Sequence, residues 1–291
     1  MKVLVTGASG FVGRALVPAL KAAGHSVVTV GRGRGADVAW NDADLARAVA
    51  ESDVIVHLAG ANLFAKRWSA AFKRELVKSR VEATTQLAEL VARDPRKALI
   101  SASAVGYYGA SEHTRMIESY ARGAGFLAEL CGEWERATEP AAKAGARVAI
   151  ARIGLVLGAG GGVFAKLRPV FRLGLGGRVG SGAQWVSWIH LDDLVRLLVF
   201  LVENEKARGT FNATAPTPVR QLEFARELAK VLHRPAFLPA PEPFVRLALG
   251  EAADALLTGQ HVSPARALEL GFTFRFSELV GALEELAQLR A

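Results

Sequence analysis

The sequence has a single cysteine among its 291 residues, and it has no apolar run near the ~20 residues that a membrane helix needs. Cys131 therefore has no partner for an intramolecular disulfide or a thiolate metal cage. The N-terminus carries no signal-peptide pattern, so we predict a cytoplasmic protein. The six histidines are dispersed and GxSxG is missing, so the sequence predicts neither a metal site nor a serine nucleophile.

Charge is unevenly distributed along the chain, with 36 Lys and Arg against 28 Asp and Glu. We interpret the basic segment 66–80 as a solvated helix face, because no aromatic residues suited to base stacking accompany it, and we predict no nucleic-acid partner. Residues 140–191 contain no Asp or Glu, which indicates a positive potential near an anionic ligand. We therefore expect a small, anionic substrate, no membrane partner, and either a monomer or a homodimer.

The first 155 residues alternate short apolar runs with helical patterns, which is typical of βαβ units and a parallel sheet. Nearly continuous apolar runs such as VVTV and VIVHLA indicate strands that are buried on both faces. The predicted fold class is α/β, a Rossmann-type doubly wound parallel sheet. The predicted strands are Lys2–Thr6, Ser26–Val30, Val54–Leu58, Ala98–Ser101 and Arg147–Ile153, and the predicted helices lie near Phe11–Ala23, Asp42–Ala50, Ala70–Ala92 and Phe126–Ala144.

A glycine-rich stretch begins at Gly154 and interrupts this alternation, which resumes with a predicted strand at Trp185–His190 and a helix at Leu191–Glu203. From Pro216 the pattern is mostly helical. We predict a cofactor domain of residues 1–155 plus about 184–215. A smaller, mostly helical C-terminal domain would comprise about 156–183 plus 216–291.

The first strand runs into a turn with glycines at every third position, followed at once by an amphipathic helix. Gly7 permits the tight turn, Gly10 lets the backbone approach a pyrophosphate, and Gly13 lets the helix pack on the sheet. The helix N-terminus then offers unpaired N–H groups to the phosphates. The residues predicted to bind a dinucleotide here are Thr6, Gly7, Ser9, Gly10, Phe11, Val12 and Gly13.

The end of the second strand distinguishes the two nicotinamide cofactors. A site that prefers NAD places an acid there to bind the adenosine ribose, whereas this chain has Gly31 followed by Arg32 and Arg34. A guanidinium can bind a 2′-phosphate bidentately. We therefore predict NADP(H) as the preferred cofactor, with NAD(H) as the alternative.

Several motifs together resemble those of the extended short-chain dehydrogenase/reductase superfamily, and more narrowly its uncharacterised "epimerase family protein" subgroup with a C-terminal helical domain. These motifs are TGxxGxxG, HLAG ending the third strand, SASAVGYYG, RIGLVLG, WIHLDDL and the run GGRVGSGAQW. The resemblance implies that Leu58, Ala59 and Gly60 line the cofactor and that Ser103 hydrogen-bonds a substrate oxygen. Arg152, which opens RIGLVLG, joins the predicted cofactor residues, whereas His190, Asp192 and Asp193 are better explained as a helix cap.

The chain departs from the superfamily at its catalytic pair, a Tyr with a Lys four residues later that lowers the phenol pKa. None of the three tyrosines has this lysine, and we predict that Phe126 and Leu130 stand where the pair would be. Three explanations remain open. The chain has lost catalysis and acts as an NADP(H) sensor or assembly protein; it uses another acid or base; or the substrate or water supplies the proton. The candidates for another acid or base are Tyr107, Tyr108, Glu129, Glu133 and Cys131.

Overall fold

The computed structural model describes residues 1–33 and 35–289. Its strands are β1 (Lys2–Thr6), β2 (Ser26–Gly31), β3 (Val38–Ala39), β4 (Val54–His57), β5 (Ala98–Ala104), β6 (Arg115–Met116), β7 (Arg147–Ile153), β8 (Leu155–Gly158), β9 (Trp185–Val186), β10 (Trp188–His190), β11 (Gly209–Ala213), β12 (Val219–Arg220) and β13 (His261–Val262). Its α-helices are α1 (Phe11–Ala22), α2 (Asp42–Ala50), α3 (Ala70–Ala92), α4 (Phe126–Arg136), α5 (Glu139–Lys143), α6 (Gly162–Arg172), α7 (Leu191–Glu203), α8 (Gln221–Val231), α9 (Glu242–Leu249), α10 (Asp254–Leu257), α11 (Ala265–Glu269) and α12 (Leu279–Gln288).

Seven parallel strands form the central sheet, in the order β11-β7-β5-β4-β1-β2-β3. Side chains of β4 alternate between the two faces, with Val54 and Val56 packing in the cluster that contains α1 and α7, and Ile55 in the cluster that contains α2 and α3. Each fully buried aliphatic side chain of this kind contributes about 1.5–3 kcal/mol. The predicted doubly wound α/β sheet is confirmed.

The strand order reverses between β1 and β4, because the chain builds β1, β2 and β3 outward before it returns to the other side of β1. In open parallel sheets, ligands bind at the carboxyl ends of the strands beside such a reversal. The segments that leave this edge are the glycine turn after β1, the Leu58–Gly60 turn after β4 and the Ser103 region at the end of β5. The topology therefore brings the predicted site segments to one edge.

Two predicted elements are divided in the structure. The helix predicted near Phe126–Ala144 ends at Arg136 and restarts as α5, where Pro140 lies in the first turn and has no N–H to continue the preceding helix. The strand predicted at Trp185–His190 is two strands, because β9 pairs with β12 and β10 pairs with β8. The sequence prediction also missed β3 and β11, which form the two edges of the central sheet.

A third apolar cluster joins α6, α8 and α12 around the fully buried Trp188 of β10. It contains residues from both of the predicted domains, and the domain boundaries stay a prediction. In the described ranges 1–33 and 35–289, none of the helices combines the length and the apolarity needed to cross a bilayer.

Candidate functional site

The glycine turn after β1 is packed too tightly for any side chain at two of its three glycines. Gly7 has a φ of +72°, and a Cβ there would lie 2.7 Å from the backbone carbon of Leu58. A Cβ at Gly13 would lie 2.2 Å from the carbonyl oxygen of Gly7. Contacts this short force a backbone shift, so the turn depends on glycine at these positions.

The first turn of α1 has unpaired backbone N–H groups. Gly10 precedes the helix without a capping side chain, and the first turn contains no acid. By contrast, α2 begins with Asn41, whose side chain accepts from the N–H of Asp44, and it has two acids in its first turn. Helix α1 has neither a capping side chain nor an acid in its first turn. Its N-terminal N–H groups and the partial positive charge of the helix dipole are therefore available to an anion.

We call the glycine turn Gly7–Gly13, with the first turn of α1, the cradle. The ring of Phe11, the first residue of α1, packs against the glycine-rich segment at the end of β8. A Cβ at Gly158, Gly161 or Gly162 would lie 2.7, 2.5 or 2.8 Å from the Phe11 ring. Ser9 is exposed, and Val12 packs on the first apolar cluster. The Phe11 ring therefore leaves no room for a side chain at these three glycines.

Thr6 at the end of β1 shares a 2.7 Å hydrogen bond between its Oγ1 and Nδ1 of His57. His57 is fully buried, and its Nε2 has no hydrogen-bond partner among the described residues. Burial lowers the pKa of His57 to about 3, because charging the ring would require desolvation of the cation. The residue below the cradle is thus a neutral imidazole.

The end of β2 has no acid available to a ribose. Gly31 is half-buried and Arg32 is exposed, while Arg34 lies outside the described residues. The nearest following acid, Asp37, accepts hydrogen bonds from the backbone N–H and the hydroxyl of Thr29, both at 2.8 Å. The backbone hydrogen bond holds the pKa of Asp37 below its ordinary value, so this carboxylate is already occupied.

The Ser103 hydroxyl donates to Oε1 of Glu135 at 2.7 Å. Register places Ser103 beside Arg152 in the β5–β7 pair, and Arg152 binds both carboxylate oxygens of Glu135 at 2.8 Å. Arg152 is 3% exposed and also donates to the hydroxyl of Tyr108. The guanidinium of Arg152 is therefore paired with a carboxylate of the protein, and its predicted role at the cofactor stays a prediction.

The two tyrosines that follow Ser103 have different surroundings. Tyr108 is 2% exposed, and its hydroxyl contacts the Asn212 side chain at 2.7 Å and the Ile117 carbonyl at 3.1 Å. Burial raises the pKa of Tyr108 above its ordinary value, which opposes a role as a base. Tyr107 is half-buried, and its ring lies 3.4 Å from the Arg152 guanidinium carbon.

Helix α4 presents two different sets of residues to its neighbours. Phe126 and Leu130 pack in an apolar cluster with Trp68 and other residues of α3 and the segment before it. Other α4 residues contact the turn Val105–Tyr108 that follows Ser103, here called the Ser103 turn. A Cβ at Gly106 would lie 3.4 Å from Leu127 and 3.8 Å from the Cys131 sulfur. The placement of Phe126 and Leu130 at the Tyr and Lys positions stays a prediction.

The remaining candidate acids and bases all lie on α4. Glu129 and Glu133 are exposed on α4. Cys131 is buried, and burial raises its thiol pKa to about 12.

His190 caps α7 by accepting from the N–H of Asp192 at 3.2 Å. Within the described part of the chain, no group of three His, Cys, Asp or Glu side chains is placed to hold a metal ion.

Comparison with known proteins gives two family matches. The description "NAD dependent epimerase/dehydratase family" matches residues 3–214, and a domain of unknown function matches residues 240–286. A Mycobacterium bovis protein named "Epimerase family protein" is 42% identical over 97% of this chain and 96% of its own length. The Arabidopsis thaliana "Epimerase family protein SDR39U1 homolog, chloroplastic" is 40% identical over 99% of this chain and 87% of its own length.

A crystal structure of the human epimerase family protein SDR39U1 (isoform2) with NADPH superposes with a TM-score of 0.90. It is 35% identical and covers 99% of both chains. A nucleoside-diphosphate sugar epimerase from Corynebacterium glutamicum is 34% identical, with a TM-score of 0.81 over 99% of this chain and 58% of that protein.

Proposed function

This chain belongs to the NAD dependent epimerase/dehydratase family, and from that premise we propose that it binds NADP(H) and uses it on a small substrate without a Tyr–Lys pair. The observation that carries the proposal is the cradle itself. There is no space for a side chain at Gly7 or Gly13, and α1 begins without a capping side chain or an acid. An acid at the end of β2 would repel a 2′-phosphate, but the chain has Gly31 followed by Arg32 there. The presence of NADPH in the human relative supports it further.

The residues present fit the cofactor. The N–H groups of the first turn of α1 would hold the pyrophosphate, and Arg32 would hold the 2′-phosphate. The turn of Leu58, Ala59 and Gly60 lies against Gly7 and would border the ribose. When bound, a nicotinamide supplies a hydride donor or acceptor.

The protein's own residues restrict which proton chemistry accompanies hydride transfer. Ser103 has its only hydroxyl hydrogen in the bond to Glu135, so it offers lone pairs to a ligand. Leu127 and Cys131 cover the adjacent turn with apolar surface, which strengthens nearby electrostatic interactions. Of the two tyrosines after Ser103, Tyr108 has its hydroxyl held by Asn212. We therefore propose Tyr107, the substrate or water as the proton source.

The substrate that we propose is small and anionic, because residues 140–191 lack any acid. We keep the expectations of a cytoplasmic location and of either a monomer or a homodimer. A second candidate function is a non-catalytic NADP(H) sensor or assembly protein. It is favoured by the surroundings of Tyr108, whose buried hydroxyl is hydrogen-bonded to Ile117, Asn212 and Arg152.

An NADPH oxidation assay against a panel of small carbonyl compounds and nucleotide sugars tests the proposal. Turnover by the parent protein, lost in the Gly13→Ala variant and kept in Gly281→Ala, is the expected result. The matched control is apt because a Cβ at Gly281 meets nothing within 4 Å. NADPH binding without turnover on any substrate would favour the sensor, and absence of NADPH binding would contradict both functions.

A further inference from the structure

Two segments in the C-terminal half of the chain expose large apolar side chains. Residues 162–180 comprise α6 and the chain after it, and residues 233–249 include α9. Apart from Met1, these segments contain every large apolar side chain of the described residues that is more than half exposed. The five side chains are between 53% and 76% exposed, and we call them the apolar patch: Leu173, Leu175, Phe237, Phe244 and Leu247.

The two segments lie side by side. The N–H of Ala240 donates to the Arg178 carbonyl at 2.8 Å, and a Cβ at Gly177 would lie 2.0 Å from the Leu238 carbonyl oxygen. The chain from 174 to 180 therefore runs beside the chain from 235 to 240, and α9 follows directly. Apolar surface that is exposed over one region of a folded protein marks an interaction site.

Helix α9 directs its apolar side chains in two directions. Leu249 packs in the apolar cluster that contains Trp68, and the carbonyl of Leu247 accepts from Nη2 of Arg67 at 2.8 Å. The side chains of Phe244 and Leu247 face the solvent, and no residue of this fully described helix is buried. The C-terminal end of α9 thus fixes the helix on the protein, while the side chains of the apolar patch protrude from it.

Positive charge accompanies the apolar patch. The two segments contain one acid, Glu242, and it is paired with Arg246 at 2.7 Å. A negatively charged partner is the one that complements such a surface. The basic side chains that are exposed on the same segments are Lys166, Arg172, Arg178 and Arg234.

The surface of an anionic lipid membrane matches both features. Segments that lie on a membrane bury Phe and Leu at the boundary of the acyl chains, while Lys and Arg meet the anionic headgroups. A protein partner would need a complementary pocket for each protruding side chain, whereas a bilayer does not. A symmetric pair of copies of this chain would place the basic residues against each other. We propose that the apolar patch and its basic neighbours bind the surface of an anionic lipid membrane.

This contact is peripheral, because the chain lacks an apolar run long enough for a spanning helix. The same lack underlies the sequence expectation of no membrane partner. A surface contact needs only a few exposed apolar side chains with positive charge around them. No residue of the cradle takes part, so the inference is independent of the proposed function.

Cosedimentation with vesicles at physiological ionic strength tests the apolar patch. The vesicles consist of phosphatidylcholine alone or of phosphatidylcholine and phosphatidylglycerol in equal amounts. Phe244→Ser with Leu247→Ser is compared with Leu268→Ser with Val280→Ser, which removes two exposed apolar side chains elsewhere. We expect the parent protein to prefer the mixed vesicles, the first variant to bind them about tenfold or more weakly, and the second to bind them as the parent does.

A second pair of variants tests the charge. Arg172→Gln with Arg234→Gln is compared with Arg93→Gln with Lys206→Gln, which removes the same charge from exposed positions outside the two segments. We expect the first variant to bind the mixed vesicles several-fold more weakly than the second. Added salt should weaken binding by the parent protein, because it screens the attraction to the headgroups.

Circular dichroism establishes that each variant is folded, and if the α9 variant is not, Leu173→Ser with Phe237→Ser takes its place in the same comparison. Equal binding by the patch variant and its apolar control would overturn the proposal, because the net charge of +8 would then explain adsorption by itself. Absence of vesicle binding by the parent protein would overturn it as well. A parent dimer that Phe244→Ser with Leu247→Ser dissociates would then assign the apolar patch to a second copy of the chain.

Discussion

The hydroxyl of Ser103 donates its hydrogen to Oε1 of Glu135, 2.7 Å away. A hydroxyl has one hydrogen, so only its lone pairs are left for a ligand. The family resemblance implies a serine that donates to a substrate oxygen, and this geometry offers an acceptor instead. The group that meets Ser103 is therefore expected to be an N–H or O–H donor.

Glu135→Gln is predicted to destabilise the protein strongly, because it leaves the buried charge of Arg152 without its carboxylate. Losing one partner of a buried ion pair costs about 3–5 kcal/mol, and urea unfolding measures it. Glu139→Gln breaks the exposed pair with Lys143 and should cost far less, because water screens the charges of an exposed pair. Equal losses in the two variants would contradict the assignment.

Gly13→Ala is predicted to disrupt the cradle, because the added Cβ would lie 2.2 Å from the Gly7 carbonyl oxygen. Overpacking of this kind costs about 1–3 kcal/mol, and the displaced turn should lose NADPH affinity as well. Thermal unfolding and calorimetry measure the two effects. In the control, Gly281→Ala on α12 should be neutral or slightly stabilising, since alanine is the better helix former.

Stability is predicted to fall as the pH is lowered from about 6.5 toward 3, because of His57. Its folded pKa of about 3 lies below the ordinary 6.5, so in this window the unfolded chain binds a proton that the folded protein does not. The slope for one group is at most about 1.4 kcal/mol per pH unit. His57→Asn should reduce the slope measured by urea unfolding, whereas the exposed His113→Asn should leave it unchanged. An unchanged slope in His57→Asn would be inconsistent with a buried neutral imidazole.

Variants that carry a Tyr–Lys pair on one face of α4 or the other test which face holds the catalytic positions. Phe126→Tyr with Leu130→Lys places a charge in the apolar cluster beside α3, where Leu130 is 3% exposed, so we expect a lower melting temperature and no dehydrogenase activity. Leu127→Tyr with Cys131→Lys places the pair beside the turn after Ser103, where Cys131 is also 3% exposed, so both variants should have lower melting temperatures and activity alone separates them. Activity in the first variant but not in the second would show that Phe126 and Leu130 are the catalytic positions.

The cradle was predictable because its parts are contiguous, with Gly7 and Gly13 spaced along one strand, turn and helix. The bond between Ser103 and Glu135 was not, since it joins residues 32 positions apart through the packing of a helix on a strand end. The contact of Phe11 with Gly158, Gly161 and Gly162 could not be predicted for the same reason, because these residues are distant in the sequence. Sequence spacing reports local geometry, whereas these contacts depend on how distant elements meet.

Cofactor preference tests the central claim most directly. Calorimetric titration of the parent protein should give an affinity for NADPH at least tenfold above that for NADH, since a hydrogen bond to a charged group contributes about 1.5–3 kcal/mol. Gly31→Asp with Arg32→Ala should reverse the order, while Arg93→Ala, at an exposed arginine after α3, should preserve it. Equal affinities in the parent protein, or an unchanged preference in the double variant, would contradict an NADP(H) site built on Gly31 and Arg32.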